Sequence, residues 1–177
     1  MTEIFKTRYI SIAICLLGQY TVSGQNAHKN LRNGDMLYEY GKYQEAETEY
    51  RKAEHHKPDV KSAYNLSNTL VNQERYDEAA KKYTEAATRT TTDEQKAKIY
   101  YNQGNALFKK QAYKESIDAY KKSLRSIPDD QSAKENLAIA RNELKKQIQQ
   151  QKKEEQKKEQ EDKKDKDQDQ QNQKNDA

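Results

Sequence analysis

The sequence predicts an all-α solenoid of stacked helical hairpins, three repeats closed by a C-terminal capping helix. Three observations predict it. Residues 34–53, 67–86 and 104–123 carry one pattern at offsets of 33 and 37 residues. Within each copy, bulky and small residues alternate along one helical face. Beyond the third copy, Ala133, Leu137, Ala140, Leu144 and Ile148 continue an apolar stripe at helical spacing, which gives the stack the end cover that solenoids require.

The copies align residue by residue. Each opens on a small residue (Gly34, Ser67, Gly104), with a leucine three positions on (Leu37, Leu70, Leu107). A tyrosine follows (Tyr43, Tyr76, Tyr113), then a small residue (Ala46, Ala79, Ser116), a second tyrosine (Tyr50, Tyr83, Tyr120) and another small residue (Ala53, Ala86, Ser123). From the first tyrosine these fall at i, i+3, i+7 and i+10, one face of a helix. Alternating bulk with smallness lets two helices interdigitate: the alanine admits a close neighbour, and the tyrosine ring covers the gap beside it. Ala63, Leu66, Ser67 and Leu70 form the matching stripe on the preceding helix, and Tyr100, Gln103, Gly104 and Leu107 repeat it. One such hairpin cannot bury its faces alone, so the hairpins must stack. Asp59 after Pro58, and Asp129-Asp130 after Pro128, are placed as N-caps. Residues 88–92 read as a non-helical insertion, with Thr92 and Gln95 at capping-box spacing.

This pattern resembles the tetratricopeptide repeat (TPR) family, whose period is about 34 residues with small, aromatic and closing proline marks in this order. The resemblance covers about residues 27–130 and implies repeats at 27–59, 60–93 and 97–130, with a capping helix at 131–148, within a domain of residues 25–148. The chain departs from the family in places. Thr91 replaces the closing proline of the second copy, Asn33 and Gln103 stand at usually apolar positions, and Ser116 and Ser123 replace alanine. Those two hydroxyls are expected to bond back to the preceding helical turn.

The flanks differ from the repeats. Lys6 and Arg8 precede an apolar run from Tyr9 to Leu17, and Val22-Ser23-Gly24 supplies small residues before Gln25. That is the order of a secretory signal. The run is shorter than the roughly 20 residues of a membrane span. A cleaved signal at 1–24 is therefore expected, with an uncleaved anchor or a buried first helix as alternatives. Either of the first two places the rest of the chain outside the cytoplasm. Cys15, the only cysteine, follows Ile14 rather than the small residue a lipoprotein needs. Cleavage would leave a chain with no thiol, excluding a disulfide, a thiolate metal site and a cysteine nucleophile together. At the other end, Lys145–Ala177 holds ten Lys, nine Asp or Glu and ten Gln against two apolar residues. Nothing there offsets the ordering entropy of a compact fold. Lys, Gln and Glu favour helix, so the capping helix is expected to run on to about residue 160 before fraying. The 149–177 tail then reads as a solvated spacer or as a segment that orders on a partner.

Composition excludes several functions. Thirty-three Lys and Arg against 29 Asp and Glu leave a formal charge of +4, too balanced for nucleic acid as the main partner. Two Phe and no Trp make a large dry substrate pocket hard to build. His55 and His56 end a helix just before Pro58, where an imidazolium suits the negative helix end better than metal or acid–base work, and His28 stands alone. There is no glycine-rich phosphate loop. No catalytic residue, cofactor, metal site or small-molecule substrate is expected, so the chain is not read as an enzyme.

The informative polar residues lie on the first helix of each hairpin. Lys61, Tyr64, Asn65, Asn68 and Asn72 occupy a face rotated about 100° from the core stripe. Lys98, Tyr101, Asn102, Asn105 and Lys109 repeat it one copy later. Stacking aligns such faces into a groove. Asn offers a donor and an acceptor to an extended peptide backbone, and Tyr offers rigid area at low entropic cost. Asn65 and Asn102 read equally well as ties between neighbouring helices. Some TPR proteins clamp a partner's terminal carboxylate with Lys and Asn on this face. Asn68 and Asn102 match that pattern, but Tyr64 stands where a lysine is expected, Leu31 and Asp35 open the first repeat, and Ser132 and Asn136 replace a basic pair.

Signal, short array, the Asn136–Ala140 stretch of the capping helix and charged tail together resemble the TPR components of the Bat (aerotolerance) operon, BatC type. The resemblance implies a bacterial periplasmic scaffold working with von Willebrand A-type membrane proteins. The expected function is an exported adaptor that takes a peptide segment of a partner protein in its groove. The alternative is an envelope structural or assembly factor acting through the charged tail.

Overall fold

The computed structural model describes residues 24–175, with side chains through residue 160. The expected signal segment, Gly24 apart, lies outside the described residues. Seven helices and no strand occupy the described part. They are α1 (24–39), α2 (Tyr43–His56), α3 (Val60–Asn72), α4 (Tyr76–Arg89), α5 (Asp93–Lys109), α6 (Tyr113–Ser126) and α7 (Gln131–Asn175). From α2 to α7 each packs on its neighbours in sequence, and α3 and α7 also touch α5; α1 meets α2 where the Tyr50 ring lies against Gly34. That is a solenoid of three antiparallel hairpins, α1/α2, α3/α4 and α5/α6, with α7 laid against the last.

The turns inside the hairpins share one geometry. Gly41, Glu74 and Gln111 have φ of 72°, 60° and 65°. Lys42, Arg75 and Ala112 then donate their N–H groups back to the carbonyls of Leu37, Leu70 and Leu107 at 2.9 Å. This left-handed C-terminal motif satisfies carbonyls that the helix end would leave unpaired. Only the first copy uses glycine for it. Between hairpins the caps are polar: Asp59 accepts from Ser62 N and Asp130 from Ala133 N, both at 3.0 Å. The insertion after α4 is shorter than expected, because residues 88 and 89 remain helical. Thr92 caps α5 by accepting from Gln95 N, while the Gln95 side chain turns to Thr90 instead of closing the box.

The buried core draws on the repeat stripes, in which Leu37 and Leu107 are only half-buried. Tyr50, Tyr83 and Tyr120 are 1–2% exposed, and Ala46, Ala79, Ser116, Ala86, Ser123, Leu66 and Leu70 are 0% exposed. Gly34 and Gly104 lie directly under the rings of Tyr50 and Tyr120; a Cβ at either would come within 2.6 Å of the ring. Ser116 and Ser123 do not bond back to their own turn. Their hydroxyls reach across to the carbonyls of Gly104 and Ala97 on α5, both at 2.9 Å. Gln103 sits in the core because its amide donates to Ala80 O and Thr84 Oγ1 on α4, both at 2.8 Å. Tyr43, Tyr76 and Tyr113 are only half-buried. Each begins its helix, and Tyr43 and Tyr113 stand edge-on to Tyr38 and Phe108 across the turn, at 5.4 and 5.3 Å between ring centres.

Beyond the core, charges tie the second helices together. Glu47 on α2 accepts from Arg75 Nη1 at 2.6 Å and Gln73 Nε2 at 3.0 Å, and pairs with Arg51 at 2.7 Å. Burial pushes its carboxyl up, but those three donors outweigh burial and hold it below the ordinary 4.5. A lowered carboxylate stabilises the fold above its unfolded pKa and loses that contribution as pH falls through its folded value. Glu47→Gln is therefore expected to cost about 1 kcal/mol at neutral pH. The deficit is expected to vanish on acidification below the usual glutamate range. Urea unfolding at the two pH values checks this; an equal deficit at both contradicts it.

The seventh helix does not stop where its apolar stripe ends. It runs unbroken through the polar tract to Asn175, past the fraying point expected near residue 160. Its side chains are exposed from Ile148 through residue 160. Good intrinsic propensity, and acidic residues placed three or four before lysines such as Glu154 before Lys157 and Lys158, sustain this exposed stretch as helix.

Candidate functional site

The first helices α1, α3, α5 and α7 line one wall, and its polar face is ordered by the buried tyrosines beneath it. Tyr50 OH donates to Asp35 Oδ1 at 2.9 Å, Tyr83 OH to Asn68 Oδ1 at 2.5 Å, and Tyr120 OH to Asn105 Oδ1 at 2.7 Å. The three contacts occupy equivalent positions, 33 and 37 residues apart. An ionised Asp35 can only accept, so the tyrosine must be the donor there. Equivalent geometry gives the same direction in the next two repeats. The carbonyl oxygens of Asn68 and Asn105 are thus turned down onto tyrosine, and their amide NH2 groups face outward. Among the described residues, no hydrogen bond uses either NH2. Burial raises the hydroxyl pKa of Tyr50 and Tyr83 and pushes that of Tyr120 up to about 12, so these donors keep their protons at any physiological pH.

A second set of contacts ties each first helix to the next. Asn72 Nδ2 donates to Tyr38 OH at 2.8 Å, Asn102 Nδ2 to Tyr64 OH at 2.5 Å, and Asn136 Nδ2 to Tyr101 OH at 3.1 Å. Asn65 Nδ2 donates to Asp35 at 2.7 Å and Asn136 also to Asn105 Oδ1 at 3.0 Å. Asn65 and Asn102 both make ties between neighbouring helices, and Asn102 borders the groove as well.

The resulting groove, of about 380 Å³, brings together Asn68, Asn72, Asn102, Asn105 and Lys109 from the predicted set. Tyr83 and Tyr120 form its floor, and Tyr38, Val71, Ala106, Phe108, Asn136 and Ile139 complete its sides. A smaller hollow of about 200 Å³ shares Tyr38 and Asn68 with it and adds Asp35, Glu39, Tyr50 and Asn65. The other predicted residues lie at the rim or in the ties. Lys61 is exposed and pairs with Asp35 at 2.9 Å. Lys98 Nζ sits 5.2 Å above the Tyr64 ring. Tyr64 and Tyr101 pack against Tyr83 and Tyr120, both at 6.0 Å between ring centres, with their hydroxyls engaged by asparagine.

Tyr38, Phe108 and Ile139 were not among the candidate groove residues. The repeat offset places Tyr38 and Phe108 in register with Val71, and in register is the only signal that would have found them. Among the described residues, no group of His, Cys, Asp and Glu is arranged to hold a metal ion, and no helix is long and apolar enough to cross a membrane.

A family model for the tetratricopeptide repeat matches residues 31–93 and again residues 64–131. The chain belongs to that family. Solved structures agree on the fold. The first TPR domain of human RPAP3 superposes with a TM-score of 0.63 at 20% identity, covering 71% of this chain and 98% of that one. The first TPR of Spaghetti (RPAP3), bound to the HSP90 peptide SRMEEVD, gives 0.61 at 22% identity, covering 68% and 94%. The TPR2AB domain of yeast Sti1, in a complex with pHSP90, gives 0.62 at 25% identity, covering 71% and 50%. No curated protein sequence matches.

Proposed function

We propose that this chain is a non-enzymatic adaptor that holds an extended segment of a partner protein along the wall of α1, α3, α5 and α7. The observation that carries the reading is the pair of outward NH2 groups on Asn68 and Asn105, fixed by buried tyrosines and ready for main-chain carbonyls. Peptide complexes of similar TPR domains support the same use of the face. The residues differ from a carboxylate clamp, since the one lysine bordering the larger groove is Lys109. The signal-like N-terminus and charged tail extend the reading to an exported, periplasmic scaffold. There its partners would be von Willebrand A-type membrane proteins of a Bat-type aerotolerance complex.

The exposed stretch of α7 from Ile148 through residue 160 favours a second reading, in which residues 149–177 engage envelope components and the repeats only hold them out. A paired substitution separates the two. Asn68→Asp with Asn105→Asp keeps an acceptor for each tyrosine, as Asp35 does in the first repeat, but replaces the two donors with carboxylates. Native partners captured by the full chain are expected to be lost with this pair, with thermal unfolding little changed, and kept when residues 149–177 are deleted. The reverse pattern would give the function to the tail.

A further inference from the structure

The wall is not uniform from end to end, and its gradation says what it selects. Asp35, Asn68, Asn105 and Ile139 occupy the same position in four successive first helices. The row therefore runs from a carboxylate through two amide donors to an apolar side chain. Asp35 is about one-third exposed in spite of its pairing with Lys61. Glu39 shares its hollow, is exposed, and makes no hydrogen bond or ion pair among the described residues. At the far end, among the described residues, no second helix stands beside α7 to supply a tyrosine. Ile139, free of that duty, is 51% exposed beside the half-buried ring of Phe108 in the larger groove.

Resting on the peptide-binding reading, we infer that the groove selects an internal segment of its partner bearing Lys or Arg at one end and an aliphatic or aromatic side chain at the other. The cation meets Asp35 and Glu39, the middle carbonyls accept from Asn68 and Asn105, and the apolar side chain covers Ile139 and Phe108. Packed helices stand about 8–10 Å apart and an extended chain advances about 3.3 Å per residue. Each step along the row then takes about two to three residues, and the two anchors lie about seven to nine residues apart. A free C-terminal carboxylate has no counterpart in this scheme, because the first-repeat end of the wall is acidic and the far end apolar.

The test is selection on the full chain from a library of random segments of about twelve residues, each flanked by linkers so that neither end is free. The expected result is enrichment of segments with Lys or Arg and an apolar residue about seven to nine positions apart. Asp35→Asn with Glu39→Gln is expected to reduce the preference for the cation two- to fivefold, roughly the size of a partly exposed ion pair. Its fold is expected to persist, since asparagine already fills the Asp35 position in the next two repeats. Ile139→Ser is expected to abolish only the apolar preference. Enrichment of acidic segments, or of a pattern indifferent to these substitutions, overturns the inference while leaving peptide binding intact. Absence of enrichment over the Asn68→Asp, Asn105→Asp chain overturns both.

Discussion

Tyr83→Ala is expected to remove about 3–5 kcal/mol of stability, the range for deleting a large buried aromatic side chain. A domain of ordinary size has about 5–15 kcal/mol in total, so the variant would stand near the edge of folding. The ring is 2% exposed and sits at the centre of the array. It packs against Tyr64 on α3, whose hydroxyl accepts from Asn102 on α5, and its own hydroxyl holds Asn68. Repeats in a solenoid contact only their neighbours, so a cavity in the middle hairpin loosens its joints with both the first and the third. Tyr83→Phe keeps the ring and is expected to cost only about 0.5–1.5 kcal/mol, the net worth of one hydrogen bond. Urea unfolding followed by circular dichroism distinguishes the two. Equal losses in both variants would mean that the hydroxyl, not the packed ring, carries the contribution.

What the sequence made legible was whatever recurs at the repeat offset and the helical period together. Tyr50, Tyr83 and Tyr120 meet both conditions and are the deepest rings among the described residues. Tyr43, Tyr76 and Tyr113 meet them equally but are half-buried, because periodicity does not distinguish a helix's first residue from its middle. The polar face shows a different limit. Tyr64 and Tyr101, which their spacing assigns to the groove, line neither hollow; their hydroxyls bond to Asn102 and Asn136, 38 and 35 residues away. Contacts of that span depend on the stacking angle of whole hairpins, which no local pattern encodes. The roles of Ser116 and Ser123 were hidden for the same reason: a hydroxyl that reaches another helix looks, in sequence, like one that reaches its own turn.

The ends of the groove were least visible. Asp35 departs from the asparagine of the other copies, and its value as a marker appears only once Tyr50 is seen to donate to it. That single acceptor-only residue then fixes the amide orientation of Asn68 and Asn105. Among the described residues Ile139 has no tyrosine to hold, since no second helix there stands beside α7.

The close approach of the two helices in each hairpin leads to the second large effect. Ala79→Leu is expected to destabilise the fold by about 1–3 kcal/mol, the cost of forcing extra methylenes into a packed core. Ala79 is 0% exposed, and its counterpart in the third hairpin gauges the space. Ser116 there spans the gap to a backbone carbonyl of the facing helix with one hydroxyl, at 2.9 Å. Room for an oxygen is room for little more, and a leucine would have to push α4 off α3 or turn out of its rotamer. Both outcomes disturb Tyr83, four residues on along the same face. Ala79→Ser, by contrast, copies the third hairpin and is expected to be nearly neutral, because the hydroxyl finds the Ser67 carbonyl as Ser116 finds that of Gly104. Thermal unfolding of the pair is the check. In a domain of this size each kcal/mol lowers the midpoint by roughly 3–6 °C, so the leucine variant falls visibly below the serine one. Two coincident curves would mean that the helices stand far enough apart for leucine, and the alternation of ring and alanine would no longer explain why the hairpins close.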